Sequence, residues 1–340
     1  MVPSMVSGIT HGNLPLEEFL RNIVMSFKPS FIPGNVYVVF NSDDETYVQY
    51  SKDWDALYPD GTKVIHTTLA SAYAAVTSNR HDVILVNAHN GHAQTAMLTV
   101  AKNRMHIWGM GNRAGSIGMG ARARVTMGVT TAATDLAVMK NTGVGNTFRN
   151  LKFDSANTKD ESLYSVIEAG EYAIYDGCEI YKSTDLDETT AAELALNGDS
   201  AQFHNCVVGS LANTVSTAII RPCVQLAQDI VTGKIVRDCY FDNCLFLRRA
   251  GGTANSFVDA TTADDVERML MFKDCEFIAA ELGSQPAEAV TSSGGKQTDG
   301  LIMLSNCTAW NCTLLKEASV GIWVNGPSVT HNTASIAKDA

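Results

Sequence analysis

The chain has 340 residues, of which 45% are hydrophobic and only 18% are charged, with a formal net charge of −11. This composition supports a folded core, so extended disorder is excluded. The acidic balance, with no cluster of Lys and Arg, excludes a nucleic-acid partner, and no apolar stretch approaches the roughly 20 residues of a membrane span.

The N-terminal segment has the pattern of an amphipathic helix. Asn13 can cap this helix and Pro15 suits its first turn. Its apolar face is formed by residues at helical spacing, namely Leu16, Phe19, Leu20, Ile23 and Phe27. Two interpretations stay open, a helix packed on its own domain and an anchor that docks on a larger partner. Pro33 then helps to break the chain, so residues 1–34 are predicted to form a separate helical arm.

Four further elements are predicted before any repeat begins. Strands are expected at 35–40, 82–86 and 103–111, where apolar and β-branched residues form short runs bounded by turn residues. A helix is expected over 67–77, and it is the candidate cap for the N-terminal end of a solenoid, because open solenoid ends need to be covered.

A six-residue pattern recurs through the rest of the chain: apolar, any residue, Asn/Asp/Gly, Cys or Leu, any residue, apolar. Its main copies start at 148, 175, 203, 241, 272 and 304, which are separated by 27, 28, 38, 31 and 32 residues. A further copy at 236–241 overlaps the one that begins at 241, and a weaker one includes Cys312. A period of this size is typical of a solenoid.

The pattern has a direct physical interpretation. Asn, Asp and Gly tolerate the left-handed backbone of a sharp corner, and the residues after the corner alternate between the inside and the outside of a strand. The inward residues are predicted to stack into a ladder: Leu151, Cys178, Cys206, Cys239, Cys244, Cys275 and Cys307. We therefore expect free buried thiols, and neither disulfides nor a metal site.

These motifs resemble the pectate-lyase-like right-handed parallel β-helix superfamily. The resemblance rests on the strands at 82–86 and 103–111 and on the coil motifs, and it covers about residues 35–325. Within the superfamily the chain is most similar to short solenoid proteins of tailed bacteriophages, which include tailspikes and tailspike-like trimers that decorate capsids. The resemblance implies an all-β fold, with a β-helix domain over 35–325 and a C-terminal tail over 326–340.

The site patterns that the resemblance implies are not found. Lyases of this shape carry an acidic calcium cluster with a basic catalytic residue, and galacturonan hydrolases carry paired Asp residues, a Gly-His-Gly turn and an Arg-Ile-Lys run. The segment 90–92 approaches the Gly-His-Gly turn without matching it, and the acidic pairs at 43–44 and 264–265 lack the remaining elements. The sequence therefore predicts no enzyme and no cofactor.

Two alternatives for chemistry stay open. Carboxylates from separate coils can form a glycan-cleaving pair, and the loop acids to consider are Asp185, Asp187 and Glu188. A metal could be shared by His89, His92 and His106, although incidental histidines are the more common explanation of such a set.

The predicted function is that of a structural virion protein of a tailed phage, namely a homotrimeric capsid decoration or cement protein. Its expected partners are further copies of itself and the major capsid protein or another virion protein, and its expected location is the virion, assembled in the host cytoplasm. The first alternative is a short tailspike that binds a host surface glycan, with Trp108, Trp310 and Trp323 available to stack on sugars. A polysaccharide-degrading enzyme is the weakest alternative.

Overall fold

A computed structural model describes residues 10–11, 14–15, 34–41, 64–88, 91–111, 122–127, 135–156, 163–183, 191–215, 222–226, 235–250, 256–260, 265–280, 286–292, 300–317, 321–325 and 329–331. At the N-terminus, β1 (Thr10–His11) pairs antiparallel with β2 (Leu14–Pro15). Pro15 therefore lies in a short strand, and its prediction as part of a first helical turn is wrong. The predicted anchor residues between 16 and 27 lie outside the described residues.

Three parallel sheets form the body of the protein, and we name them by the order of their strands. Sheet 1 contains β7 (Leu98–Val100), β10 (Met139–Asn141), β13 (Val166–Glu168), β16 (Leu194–Leu196), β19 (Val224–Leu226), β22 (Val258–Ala260), β25 (Glu288–Thr291) and β28 (Leu314–Lys316). Sheet 2 contains β4 (Ile65–His66), β3 (Val36–Val39), β5 (Val83–Val86), β8 (His106–Gly109), β11 (Thr147–Arg149), β14 (Ile174–Asp176), β17 (Gln202–His204), β20 (Cys239–Asp242), β23 (Met269–Lys273), β26 (Leu301–Ser305) and β29 (Ile322–Asn325). Sheet 3 contains β6 (His92–Gln94), β9 (Ala123–Met127), β12 (Leu151–Ser155), β15 (Glu179–Lys182), β18 (Val207–Val215), β21 (Leu245–Ala250), β24 (Glu276–Ala279), β27 (Thr308–Trp310) and β30 (Val329–His331).

The chain visits the sheets in a fixed rotation. From β8 onwards, successive strands lie in sheet 2, sheet 3 and sheet 1, and each pairs in parallel with the strand one coil earlier in its own sheet. This arrangement confirms the predicted parallel β-helix. Because β30 pairs with β27, parallel pairing extends to His331 in the segment that the sequence assigned to the C-terminal tail.

The corner between sheet 2 and sheet 3 is a single left-handed residue in each repeated coil. Its φ angle is between 52° and 65° at Asn150, Gly177, Asn205, Asn243, Asp274 and Asn306. These are the Asn/Asp/Gly positions of the hexads. The corner side chains also link neighbouring coils, since the Asn243 Nδ2 donates to the Asn205 Oδ1 at 2.8 Å.

Aromatic rings at the first hexad position form a continuous stack inside sheet 2. The ring centroids are 4.7 Å apart from Phe148 to Tyr175 and from Tyr175 to Phe203, 4.4 Å from Phe203 to Phe241, and 4.8 Å from Phe241 to Phe272. All five side chains are fully buried. The stack follows from the register, because parallel strands place equivalent residues directly above one another at the spacing between strands, about 4.8 Å.

The interior row that begins sheet 3 contains most of the predicted ladder. The register fixes this row, because the residue that follows each ladder position pairs with its equivalent in the next coil, as Glu179 does with Val207 and Val207 with Leu245. The row contains Leu151, Cys178, Cys206, Cys244, Cys275 and Cys307. Each of these thiols donates to the carbonyl of a stacked aromatic residue in the previous coil, as the Cys244 Sγ does to the Phe203 O at 3.3 Å. All eight cysteines are buried thiols.

Cys239 does not lie in this row. It begins β20 in sheet 2, where its register partner is Leu270, and its thiol donates to the Gly198 O. The reason is that the hexads at 236 and 241 mark two different corners of one coil. Asp238 turns the chain into sheet 2, and Asn243 turns it into sheet 3.

A helix covers the N-terminal end of the core. α1 (Leu69–Ala75) is capped by Thr68, whose side chain accepts from the Ser71 N, and it buries Leu69 and Ala72. These residues pack in the same cluster as Ile84 of β5. The predicted helix over 67–77 is thus present and lies where a cap was expected.

The buried carboxylate of Asp82 ties this cap to the first coils. It accepts hydrogen bonds from the Asn35 N and the Thr77 N, both at 2.7 Å, and pairs with the Arg80 guanidinium. Burial acts to raise the pKa of Asp82, but the bonds from Arg80, Thr77 and Asn35 outweigh it, so the pKa lies below its usual value.

Asn243 tests the corner. Asn243→Ala should lower the free energy of unfolding by about 1 kcal/mol, because an ordinary L-residue is disfavoured in the left-handed region and the bond to Asn205 is lost. Asn243→Gly should cost less, since glycine adopts this backbone freely. Urea unfolding of the purified variants measures both. An equal loss in the two variants would contradict this explanation of the corner.

Asp82 should make stability depend on pH. Its pKa is depressed in the folded state, so its stabilising effect is complete above the unfolded pKa of about 3.9 and is lost as the pH falls through the lower folded pKa. The difference in unfolding free energy between the wild type and Asp82→Asn should therefore be largest near neutral pH and shrink in acid. A difference that stays constant from pH 7 to pH 2 would refute this role.

Candidate functional site

The outer face of sheet 2 is built from two rows of side chains. The register aligns His106, Thr147, Ile174, Gln202, Tyr240, Met271, Met303 and Trp323 in one row, which we call the outer row. Its C-terminal half is apolar, and the last side chain, Trp323, is 62% exposed. The face therefore ends in an apolar ridge at the C-terminal end of the solenoid.

A polar row runs beside the outer row. It contains Trp108, Arg149, Asp176, His204, Asp242, Lys273, Ser305 and Asn325. Asp242 Oδ2 lies 3.5 Å from the His204 Nδ1, and its Oδ1 lies 3.5 Å from the Lys273 Nζ. Because these pairs are partly exposed, they stabilise the fold little. The polar row therefore presents hydrogen-bonding groups to solvent beside the apolar ridge.

Two histidines and a threonine are connected at the N-terminal end of this face. The His81 Nδ1 is 3.2 Å from the His106 Nε2, and the His106 Nδ1 is 2.7 Å from the Thr147 Oγ1. The Trp108 Nε1 donates to the same Thr147 oxygen at 3.1 Å. Burial lowers the pKa of His106 to about 4, with further contributions from His81 and Arg149, so its imidazole is neutral at pH 7.

An ionic cluster lies on the outer face of sheet 3, across three coils. Glu179 Oε1 is 3.0 Å from the Lys152 Nζ, and its Oε2 is 2.9 Å from the Arg122 Nη1. In the same cluster the fully buried Asp154 pairs with Arg124 and accepts a hydrogen bond from the Tyr181 hydroxyl at 2.9 Å. Burial, and then the Asp154 charge, raise the pKa of Tyr181 above its usual value.

The histidines proposed as metal ligands are not brought together. The His92 Nε2 lies 2.6 Å from the Asn87 O, and its side chain is buried inside the first coils, whereas His106 lies on the outer face of sheet 2. His89 lies outside the described residues, as do Asp185, Asp187 and Glu188. Within the described part of the chain, no group of three or more His, Cys, Asp or Glu side chains could hold a metal ion.

The three tryptophans named as sugar-stacking candidates lie in different environments. Trp108 is partly buried in the histidine cluster, and Trp310 is partly buried in sheet 3. Only Trp323 of these three presents most of its ring to solvent. Among the described helices, none has the length and apolarity needed to cross a bilayer.

The sequence analysis missed the two polar clusters. Thr147 and Arg149 flank the first residue of the first hexad, and Lys152 and Glu179 hold equivalent places in consecutive hexads. Aligning the coils by their corner residues would have placed these side chains on common faces. His81 carries no such signal, because it precedes the repeats.

Comparisons with known proteins agree on the fold. No family model and no curated protein sequence match the chain. The structure is similar to pectin methylesterase from Aspergillus niger (TM-score 0.53, 12% identity, covering 89% of this chain and 88% of that one). It is also similar to pectate lyase Pel9A (TM-score 0.53, 9% identity, 89% and 78% covered) and to pectin methylesterase from carrot (TM-score 0.51, 10% identity, 90% and 86% covered). The chain is therefore a right-handed parallel β-helix of the all-β class.

The same comparisons contradict one prediction. The sequence analysis excluded an enzyme because two site patterns of the superfamily are missing, yet the structural neighbours are pectin methylesterases and a pectate lyase. The exclusion was wrong because a β-helix can carry different outward side chains on the same coils. At 9% to 14% identity the neighbours establish the fold and no activity.

Glu179 provides a test of the ionic cluster. Glu179→Gln should lower the free energy of unfolding by about 2–3 kcal/mol, because it leaves two mostly buried cations without their carboxylate. The matched control is Glu267→Gln, which breaks the exposed pair with Arg237 and should change stability far less, because water screens that pair. Thermal and urea unfolding measure both. Equal effects would mean that burial does not strengthen this cluster.

Proposed function

We propose that this chain is a structural surface protein of a tailed-phage particle, a decoration protein that associates into trimers through the apolar ridge at the C-terminal end of the outer face of sheet 2. The observation that carries the proposal is the apolar ridge formed by Tyr240, Met271, Met303 and Trp323. The phage setting rests on the resemblance of the coil motifs to short phage solenoids.

The ridge suits association between rigid bodies. Its side chains come from four neighbouring strands of one sheet and occupy the same register position, so they follow one another along the solenoid axis. Trp323 is exposed and the other three side chains are partly exposed. Apolar surface of this kind marks interaction sites, because covering it removes apolar area from water. The polar-row side chains beside the ridge, Lys273, Ser305 and Asn325, supply hydrogen-bonding groups for the rim of such an interface.

The expected attachment partner is the major capsid protein or another virion protein. The segment assigned to attachment is the N-terminal arm, residues 1–34. That assignment rests on the sequence pattern of the apolar residues between 16 and 27.

A second candidate is recognition of a surface glycan. It is favoured by the exposed ring of Trp323, which lies next to Asn325 and Ser305 in the polar row. An exposed aromatic ring beside amides and hydroxyls can stack on a sugar and bind its hydroxyl groups. The same face would then contact a polysaccharide in place of a second copy of the chain.

Oligomeric state tests the association. The wild type should have three times the chain mass of 36.5 kDa in solution, and the double variant Met271→Glu/Met303→Glu should be a folded monomer, because two charges would be buried in the interface. The control Thr99→Glu/Thr308→Glu adds the same charges to the outer faces of sheets 1 and 3 and should stay trimeric. Light scattering after size-exclusion chromatography measures all three. A monomeric wild type refutes the trimer.

The particle role is tested separately by quantifying this chain in purified virions. A copy number comparable to that of the capsid protein supports decoration, and absence from the particle refutes the proposal. A few copies per particle, together with retarded migration in gels that contain host polysaccharide, would favour the glycan-binding candidate instead.

A further inference from the structure

The connected side chains of His81, His106 and Thr147 have the arrangement of a nucleophile, a base and a group that orients the base. The two imidazole rings are nearly coplanar, at 18°, and their centroids are 5.4 Å apart. The two nitrogens are 3.2 Å apart, and each lies about one ring radius from the centre of its own ring. These lengths together account for the distance between the centroids, so the rings meet edge to edge. Edge-to-edge rings share one hydrogen between the nitrogens, in the way of an N–H···N hydrogen bond.

This bond determines which nitrogen of His106 can act as a base. When the His106 Nε2 carries the hydrogen and donates it to the His81 Nδ1, the His106 Nδ1 presents a lone pair to the Thr147 hydroxyl, 2.7 Å away. His81 then does what the carboxylate does in a Ser-His-Asp triad, which is to select the tautomer and hold the ring in place. The backbone of His81 is left-handed, with a φ of 60°, and this conformation is uncommon outside glycine.

We propose that Thr147 and His106 are catalytic residues for the hydrolysis of small carboxylic esters, and that His81 is a positioning residue for His106. This inference is independent of the proposed role in a phage particle. It assigns an acyl-transfer site to the N-terminal half of the outer row, away from the apolar ridge.

The reaction follows the general logic of an activated hydroxyl. The Thr147 Oγ1 bonds to the ester carbonyl carbon while its proton moves to the His106 Nδ1. The carbon–oxygen bond to the alcohol then breaks, and the alcohol takes that proton. Water attacks the acyl-threonine in the same way, with His106 again taking and returning a proton, which releases the carboxylic acid and restores Thr147.

Neighbouring groups fit this chemistry. The Trp108 N–H already donates to the Thr147 Oγ1, and this bond stabilises negative charge on that oxygen as its proton leaves. Arg149 lies two residues after Thr147 on the same face, with its Cζ 5.7 Å from the centre of the Trp108 ring, so it adds positive charge to this end of the face. All of these side chains are partly exposed, so a small ester can approach from solvent.

The test is hydrolysis of p-nitrophenyl acetate by the full chain at pH 7. Thr147→Val should lower kcat by roughly 100-fold or more, in the range that a nucleophile with its general base contributes, while Thr147→Ser should retain activity. Mass analysis of the protein, digested after turnover is stopped, should find an acetyl group on the peptide that contains Thr147. His81→Leu should lower kcat with little change in KM, and His81→Gln, whose amide oxygen can accept the same hydrogen bond, should restore part of it.

The control variant is His204→Asn, which removes another partly exposed histidine from the same face and should leave the rate unchanged. This control matters because a surface imidazole can itself cleave activated esters. Circular dichroism confirms that each variant is folded. Equal rates for the wild type and Thr147→Val, including no hydrolysis by either, overturn the proposal. Acetylation of the same peptide in Thr147→Val also overturns it.

Discussion

The structure depends on one constraint, the left-handed residue that turns the chain from sheet 2 into sheet 3. A single residue with φ near 50° to 65° makes this corner in each repeated coil. Because the corner is always one residue long, it leaves no freedom for a strand to slip against its neighbour. Coils of different length therefore share one register at this corner.

The register then decides what the interior contains. Five successive coils place an aromatic ring before the corner, and four of them place a cysteine after it, so the rings stack and the thiols lie in a row beside them. Cysteine suits this row because it is small and prefers burial, and its S–H can donate to the carbonyl of the coil below, as that of Cys206 does to the Tyr175 O at 3.5 Å. Alanine would leave that carbonyl without this donor, and leucine, as at Leu151, fills more of the space.

The fold could be predicted from the sequence because its determinants are local. A hexad contains its own corner, its own inward residues and its own alternation, so each copy can be recognised without knowledge of the others. The assignment failed at Cys239, where two hexads overlap and only the pairing with Leu270 shows which sheet the residue joins. A local pattern identifies a corner, and it does not say which of the three corners of the coil it is.

The candidate sites could not be predicted in the same way, because their members come from different coils. His81 and Thr147 are far apart in the chain, and Arg248 is fully buried with its Nη2 3.3 Å from the Glu193 Oε2, 55 residues away. Outward side chains are also free to differ between proteins that share a β-helix, since the core does not constrain them. A search for the site motif of one family therefore tests that chemistry alone. The strand register determines which outward side chains are neighbours, so it has to be known before a function is assigned or excluded.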